Sequence, residues 1–271
     1  MKYGVLSMNE IITKNIARIS SSSGATIGTA FVVSSVGHLL TCFHVIEGYD
    51  IVKIFFEDDV TPRDAKILTN LCSTEEDVAV LQILPKDMPL TLLGIEWEVN
   101  DHVWSYGYQY QKVVSSGYPI IGSISGESKS LSGKPLIVFQ ETDVQKGLSG
   151  APLFDIRTGK IIGIVNAKLA KGGVGFAIPI KTVLDSWPEL LEYIQVERSR
   201  AIEDLESLLH MLGYSTQRNK RIENVPLIDL YGEIQTGVTI TRSAISCIQS
   251  YSQIDDADIK DFIYHILLPL K

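Results

Sequence analysis

A histidine, an aspartate and a serine stand in three short contexts that could turn a hydroxyl into a nucleophile. His44 closes the run Leu39-Leu-Thr-Cys-Phe-His44. Asp77 follows Glu75 and Glu76 and abuts the apolar run 78–83. Ser149 lies in Lys146-Gly147-Leu148-Ser149-Gly150, a turn rich in glycine just ahead of another apolar run. A serine hydroxyl attacks poorly unless a base in hydrogen-bond reach takes its proton, and an imidazole does so best when an acid fixes its tautomer and steadies its charge. The charge that then develops on a carbonyl oxygen needs donors aimed into one small concavity, which backbone N–H groups supply. Gly147 suits such a turn because it tolerates positive φ and leaves the carbonyl site open. The expected catalytic set is therefore His44, Asp77 and Ser149, with the amides of Gly147 and Ser149 as oxyanion donors. Glu75 and Glu76 compete with Asp77 for the acid's role. Asp77 is preferred because it touches the apolar run and has the shorter reach. His38, His102, His210 and His265 lack such contexts and read as structural or surface residues. Cys42, two residues before His44, reads as a small buried residue rather than a nucleophile.

The elements that must position these groups are short and strand-like. The patterning predicts strands over 29–33, 38–41, 51–56, 65–69, 78–83, 102–106, 120–125, 136–140, 151–154, 161–165 and 175–178. Many short strands divided by glycine-rich turns indicate a sandwich or barrel. A helix is expected over 180–196, closing a first domain of residues 1–195. The texture then changes. Residues 196–271 predict a small α/β module: a helix carrying Ile202, Leu205, Leu208, Leu209 and Leu212 and stopped by Gly213, strands over 228–234 and 238–247, and a last helix over 256–267.

Bulk properties narrow the classes. The chain has 271 residues, 45% hydrophobic and 21% charged, with a net charge of −8. That is an ordinary globular composition. It lacks the basic surface expected of a nucleic-acid or anionic-lipid binder. No run approaches the ~18 apolar residues of a membrane-crossing helix. The N-terminal MKYGVLSMNEIITKNIARIS has neither a long apolar core nor a small-residue cleavage site, so it is not read as a signal peptide. Cys42, Cys72 and Cys247 are odd in number and far apart, which argues against a disulfide framework or a zinc site and points to a reducing, cytoplasmic setting.

The order His, Asp, Ser in these contexts resembles the trypsin/chymotrypsin-like serine peptidases, and within them the bacterial HtrA/Deg type. "LLTCFHV" is similar to that family's strand ending at the catalytic histidine, "EDVAVLQI" to its Asp-Ile-Ala-Leu-Leu run, and "KGLSGAPLF" to its Gly-Asn-Ser-Gly-Gly-Pro turn. "GKIIGIVNAKLAKGGVGFAIPI" is similar to its last barrel strands. The resemblance implies a mainly β protein of two six-stranded antiparallel β-barrels with the triad at their junction. It also implies peptide-bond hydrolysis through an acyl-enzyme, protein or peptide substrates, and no metal or organic cofactor. Two departures stand out: Leu148 replaces the family's Asp or Asn beside the nucleophile, and Ala151 replaces a glycine. The resemblance places Asp143, Lys168 and Gly175 around the specificity pocket. Asp143 stands where trypsin-like enzymes keep the acid that binds a basic side chain. In an alternative alignment it sits at a strand end away from the substrate. Lys168 would narrow the pocket and Gly175 would leave it open. Asn166, grouped with the pocket, is expected near Asp77.

Residues 200–271 resemble the opening of a restriction-endonuclease-like domain, with Asp229 as its acid. Ser246-Cys247-Ile248 stands where a Glu-x-Lys pair would be, so a degenerate, non-catalytic module is expected. Pairings of this kind are similar to the front ends of bacterial antiviral proteins. That resemblance implies a latent protease switched on by a protein partner acting through the C-terminal module, in a defence or regulatory setting. The competing expectation is an inactive protease-fold binding module.

Overall fold

The computed structural model of the protein describes residues 13–21, 24–57, 59–84, 93–111, 116–140, 144, 146–170 and 172–193. They form twelve strands: β1 (Ile16–Ser20), β2 (Thr26–Val32), β3 (His38–Cys42), β4 (Ile51–Phe55), β5 (Arg63–Ile67), β6 (Val78–Gln82), β7 (His102–Gly107), β8 (Tyr118–Lys129), β9 (Pro135–Gln140), β10 (Pro152–Asp155), β11 (Lys160–Val165) and β12 (Val174–Pro179). They close into two six-stranded barrels, in the orders β1-β2-β3-β6-β5-β4 and β10-β11-β12-β9-β8-β7. The pairing of these strands is antiparallel throughout. Closure removes the exposed strand edges that invite aggregation.

Burial follows each strand's place. In β4 it alternates along Ile51-Val-Lys-Ile-Phe, with Val52 and Ile54 turned inward. Strands β3 and β6 are buried on both faces and read as continuous apolar runs, Leu39-Leu40 and Val78-Ala-Val-Leu81. Cys42 of β3 reaches across to Val165 of β11, so the outer face of this part of barrel one is covered by barrel two. The core of barrel two is built from Val103, Ile120, Ile137, Phe139, Leu148 and Leu153, among others. The long strand β8 bends at a bulge between Ile124 and Gly126, where Gly126 has φ of 144°.

Two differences from the sequence reading have plain causes. Strand β1 was not expected, because Arg18 and Ser20 interrupt its apolar pattern. Arg18 is nonetheless buried: its guanidinium lies 4.3 Å from the Phe55 ring centroid and donates to the Gly24 carbonyl at 2.8 Å. The helix expected over 180–196 is interrupted at 187–189 and helical again over 190–193. Helix α2 (Ile180–Ser186) ends before Pro188, because proline disfavours helical geometry in the residue ahead of it. A separate one-turn helix, α1 (Phe43–Ile46), carries His44. The predicted module of residues 196–271 lies outside the described residues, as do Asp143, Asp229 and Cys247.

Candidate active site

Asp77 occupies the last position of the loop before β6, with φ of 57°. Aspartate is among the few residues that tolerate this left-handed region. The loop is closed beneath it by Ser73 and Val78, which exchange backbone hydrogen bonds of 2.8 and 3.0 Å. From that position one carboxylate meets α1 twice. Its Oδ1 accepts the His44 backbone N–H at 2.8 Å, and its Oδ2 meets His44 Nδ1 at 2.7 Å. Phe43 N–H also donates to the Asp77 carbonyl at 3.0 Å. A carboxylate only accepts, so the partners assign the imidazole proton to Nδ1. Nε2 is left as an acceptor, and it faces Ser149 Oγ at 2.9 Å. The side chains of His44 and Asp77 are 19% and 24% exposed, and Ser149 is 5% exposed, so the line is sheltered yet open to solvent on one side.

The serine is held by both barrels. Its carbonyl accepts from Thr29 N–H of β2 at 2.9 Å, while Gly150 N–H donates to Val165 of β11 at 2.9 Å. Thr29 Oγ1 donates to the Gly147 carbonyl at 2.8 Å and accepts from Tyr108 N–H at 3.2 Å. The turn needs its glycines. Gly147 and Gly150 have φ of 104° and 89°. A Cβ at Gly150 would fall inside Thr29 O and Thr41 Oγ1, and one at Gly147 inside Tyr108 O and Tyr110 N.

The peptide planes of the expected oxyanion donors are fixed through their carbonyls. A trans peptide points its N–H opposite its C=O. The Lys146 carbonyl is tied to Tyr110 N–H at 2.9 Å, which orients the Gly147 N–H. The Leu148 carbonyl is tied to Ala151 N–H at 2.9 Å, which orients that of Ser149. Among the described residues neither amide donates to a protein acceptor, so both keep their hydrogen for a bound group.

The remaining predicted residues divide. Asn166, 3% exposed, donates from Nδ2 to Asp77 Oδ2 at 2.8 Å, so it supports the acid rather than the pocket. Lys168 is exposed. At Gly175 the Phe139 ring, 1% exposed, packs where a side chain would be. In the direction of a side chain, the glycine makes room for this core aromatic. Leu148, 0% exposed, anchors the nucleophile turn in the apolar core of barrel two, so apolar burial takes the place of the absent polar support. His38 is structural: it is buried, with Nδ1 2.9 Å from Ser34 Oγ and its ring 5.0 Å from that of Trp187. Sequence reasoning missed Thr29 and Tyr110, whose roles arise from contacts across more than thirty positions of chain that no local pattern records.

Cys42 lies fully buried beneath the histidine and donates to the Val165 carbonyl at 3.3 Å. Burial and the nearby Asp77 charge push its thiol well above the usual cysteine range. Ligand atoms of Cys42, His44 and Asp77 lie within 4.8 Å of one another. A metal would need the thiolate and would have to break the Asp77–His44 bond. As built, Asp77 and His44 are engaged in the line to Ser149, and Cys42 stays outside it, bonded to Val165.

Two closed antiparallel barrels with an Asp–His–Ser line at their seam define a chymotrypsin-like double-barrel protein. The chain belongs to the trypsin-like peptidase domain family, whose family model matches residues 28–164. Two curated relatives are similar. A probable periplasmic serine endoprotease DegP-like of Hahella chejuensis is 32% identical over 186 residues, 63% of this chain and 37% of that protein. The putative serine protease HhoB of Synechocystis is 28% identical over 226 residues, 78% of this chain and 49% of that protein. The chain thus spans half or less of each relative's length. Rv3671c from M. tuberculosis H37Rv, in an inactive form, shares the fold with a TM-score of 0.57 at 20% identity, covering 68% of this chain and 89% of that one.

Proposed function

We propose that the protein is a serine endopeptidase that cleaves protein or peptide substrates through an acyl-enzyme. The observation that carries this is the unbroken line from Asp77 Oδ2 through His44 Nδ1 and Nε2 to Ser149 Oγ, with steps of 2.7 and 2.9 Å. In this reading His44 Nε2 takes the Ser149 proton as Oγ attacks the scissile carbonyl. Asp77 holds the Nδ1–H tautomer and stabilises the imidazolium. The amides of Gly147 and Ser149 receive the oxyanion. His44 then gives the proton to the leaving amine, and water repeats the cycle on the ester. No step requires a metal or an organic cofactor.

Two finer readings rest on the sequence: a cytoplasmic setting, and a latent state released by a protein partner acting on residues 196–271. The first draws on cysteine usage; Cys42 and Cys72 are free thiols. The test of the main reading is labelling of the full chain with a fluorophosphonate probe. Modification mapped to Ser149, and abolished in Ser149→Ala, is the expected result. A folded protein that stays unlabelled across pH 6–9 would leave the protease-fold binding module as the better description.

A further inference from the structure

The β8–β9 hairpin of barrel two ends in a tight turn. Gly133 N–H donates to the Ser130 carbonyl at 2.9 Å, Ser130 N–H donates to the Lys134 carbonyl at 2.8 Å, and Gly133 has φ of 79°. This turn reaches the loop of barrel one that bears the acid. Lys134 Nζ lies 2.7 Å from Glu76 Oε1 and 3.2 Å from Glu75 Oε1. Glu76 is gripped from its other side as well: Oε2 accepts from Ser73 Oγ, and its backbone N–H donates to the same hydroxyl at 3.2 Å. The next residue is Asp77, with its left-handed backbone, and the one after it, Val78, is fixed by its two hydrogen bonds to Ser73. The Glu76 side chain is 18% exposed and that of Lys134 31%, so the contact is sheltered on one side.

We propose that Lys134 is a positioning residue for the acid of the triad. It acts through Glu76, holding the loop so that both Asp77 oxygens stay aimed at α1. The lysine comes from one barrel and the loop from the other, so the ion pair also ties the halves of the site together. The residues that bear charge on this contact are Lys134, Glu75 and Glu76, with Asp77 beyond. A lone exposed pair contributes little to global stability. The pair's value here is geometric, because misplacing a reacting group by about 1 Å can cost on the order of 100-fold in rate.

The inference rests on the catalytic reading of Asp77, and one experiment separates the two. The rate of fluorophosphonate labelling of Ser149 is measured against probe concentration, giving a maximal rate and a half-saturating concentration. The full-length wild type is compared with Lys134→Met, Lys134→Arg, Glu76→Gln and the Lys134→Met/Glu76→Gln double variant. Lys134→Met and Glu76→Gln are expected to lower the maximal rate about tenfold with half-saturation unchanged. Lys134→Arg should keep the rate within about threefold, because it preserves the charge. The double variant should be no worse than either single one, the mark of residues acting as a pair. Raising the salt from about 0.05 to 0.5 M should slow the wild type and leave Lys134→Met unmoved. Wild-type-like maximal rates in both single variants overturn the inference. A wild type that does not label overturns the catalytic reading, and the inference with it.

Discussion

Replacing Asp77 by asparagine tests the proton relay most directly, because the change is nearly isosteric and its effect can be worked from the contacts. The carboxylate accepts three hydrogen bonds: Oδ1 from His44 N–H, and Oδ2 from both His44 Nδ1–H and Asn166 Nδ2–H. Asparagine offers one oxygen and one amino group. With the amino group on the Oδ2 side it faces Asn166 as donor against donor. His44 must then present a bare Nδ1, and the ring proton moves to Nε2, where it can no longer accept from Ser149 Oγ. With the amino group on the Oδ1 side it faces the His44 backbone N–H, and a sheltered donor loses its acceptor. The second arrangement keeps one relay contact but removes the negative charge that stabilises the imidazolium. Both therefore cost catalysis, and the expected loss is about 10⁴-fold in kcat/KM, or roughly 5 kcal/mol of transition-state stabilisation. The assay is hydrolysis of a chromogenic peptide ester, with circular dichroism to establish folding. Retention of more than about a tenth of wild-type activity in a folded variant would refute the relay as drawn here.

Three further outcomes follow from packing and titration. Gly175→Ala would press a methyl into the Phe139 ring and should destabilise by about 1–3 kcal/mol; pairing it with Phe139→Leu should recover most of the loss in a urea titration. Leu148→Asn, which restores the residue type the family resemblance implies, would put an amide at a site with 0% exposure, and a loss of roughly 2–4 kcal/mol is expected by the same titration. Burial raises the thiols of both described cysteines, and that of Cys42 further because it is fully buried beside Asp77. Iodoacetamide at neutral pH should therefore modify Cys72 ahead of Cys42, read by peptide mapping, and preferential labelling of Cys42 in the folded protein would contradict its placement.

The fold was legible where local pattern and burial coincide. The predicted runs around Leu40 and Val80 became β3 and β6 because continuous apolar sequence fits strands buried on both faces. Strand β1 escaped because its buried arginine is held by contacts outside the strand, the Phe55 ring and the Gly24 carbonyl. The same limit applies at the site. His44, Asp77 and Ser149 could be picked out because each sits beside a distinctive neighbour: a strand end, an apolar run, a pair of glycines. What Gly175 accommodates could not be read, since it depends on which residue of β9 pairs with it. That residue is Phe139, and only the register of β12 against β9 reveals it. Leu148 misled in the same way. Beside a nucleophile it looks like a missing polar residue, whereas in three dimensions its side chain belongs to the core beneath.

These contacts also explain why the site must lie at the seam. A turn that holds two alternate peptide planes, those of the Gly147 and Ser149 amides, for an oxyanion, with positive φ at Gly147 and Gly150, is unfavourable in isolation and persists only where its surroundings over-determine it. Barrel one supplies Thr29, whose N–H, hydroxyl and carbonyl engage Ser149, Gly147 and Thr41 respectively. Barrel two supplies the Val165 carbonyl for Gly150 and the apolar socket for Leu148. Removing either set would leave the strained turn held from one side only. The acid is placed by the same logic, since His44 and its own loop in barrel one and Asn166 in barrel two fix a single carboxylate. Nucleophile and acid are thus each defined by contacts from both barrels, so a relative movement of the barrels would disturb the two together, before either barrel had lost its own core.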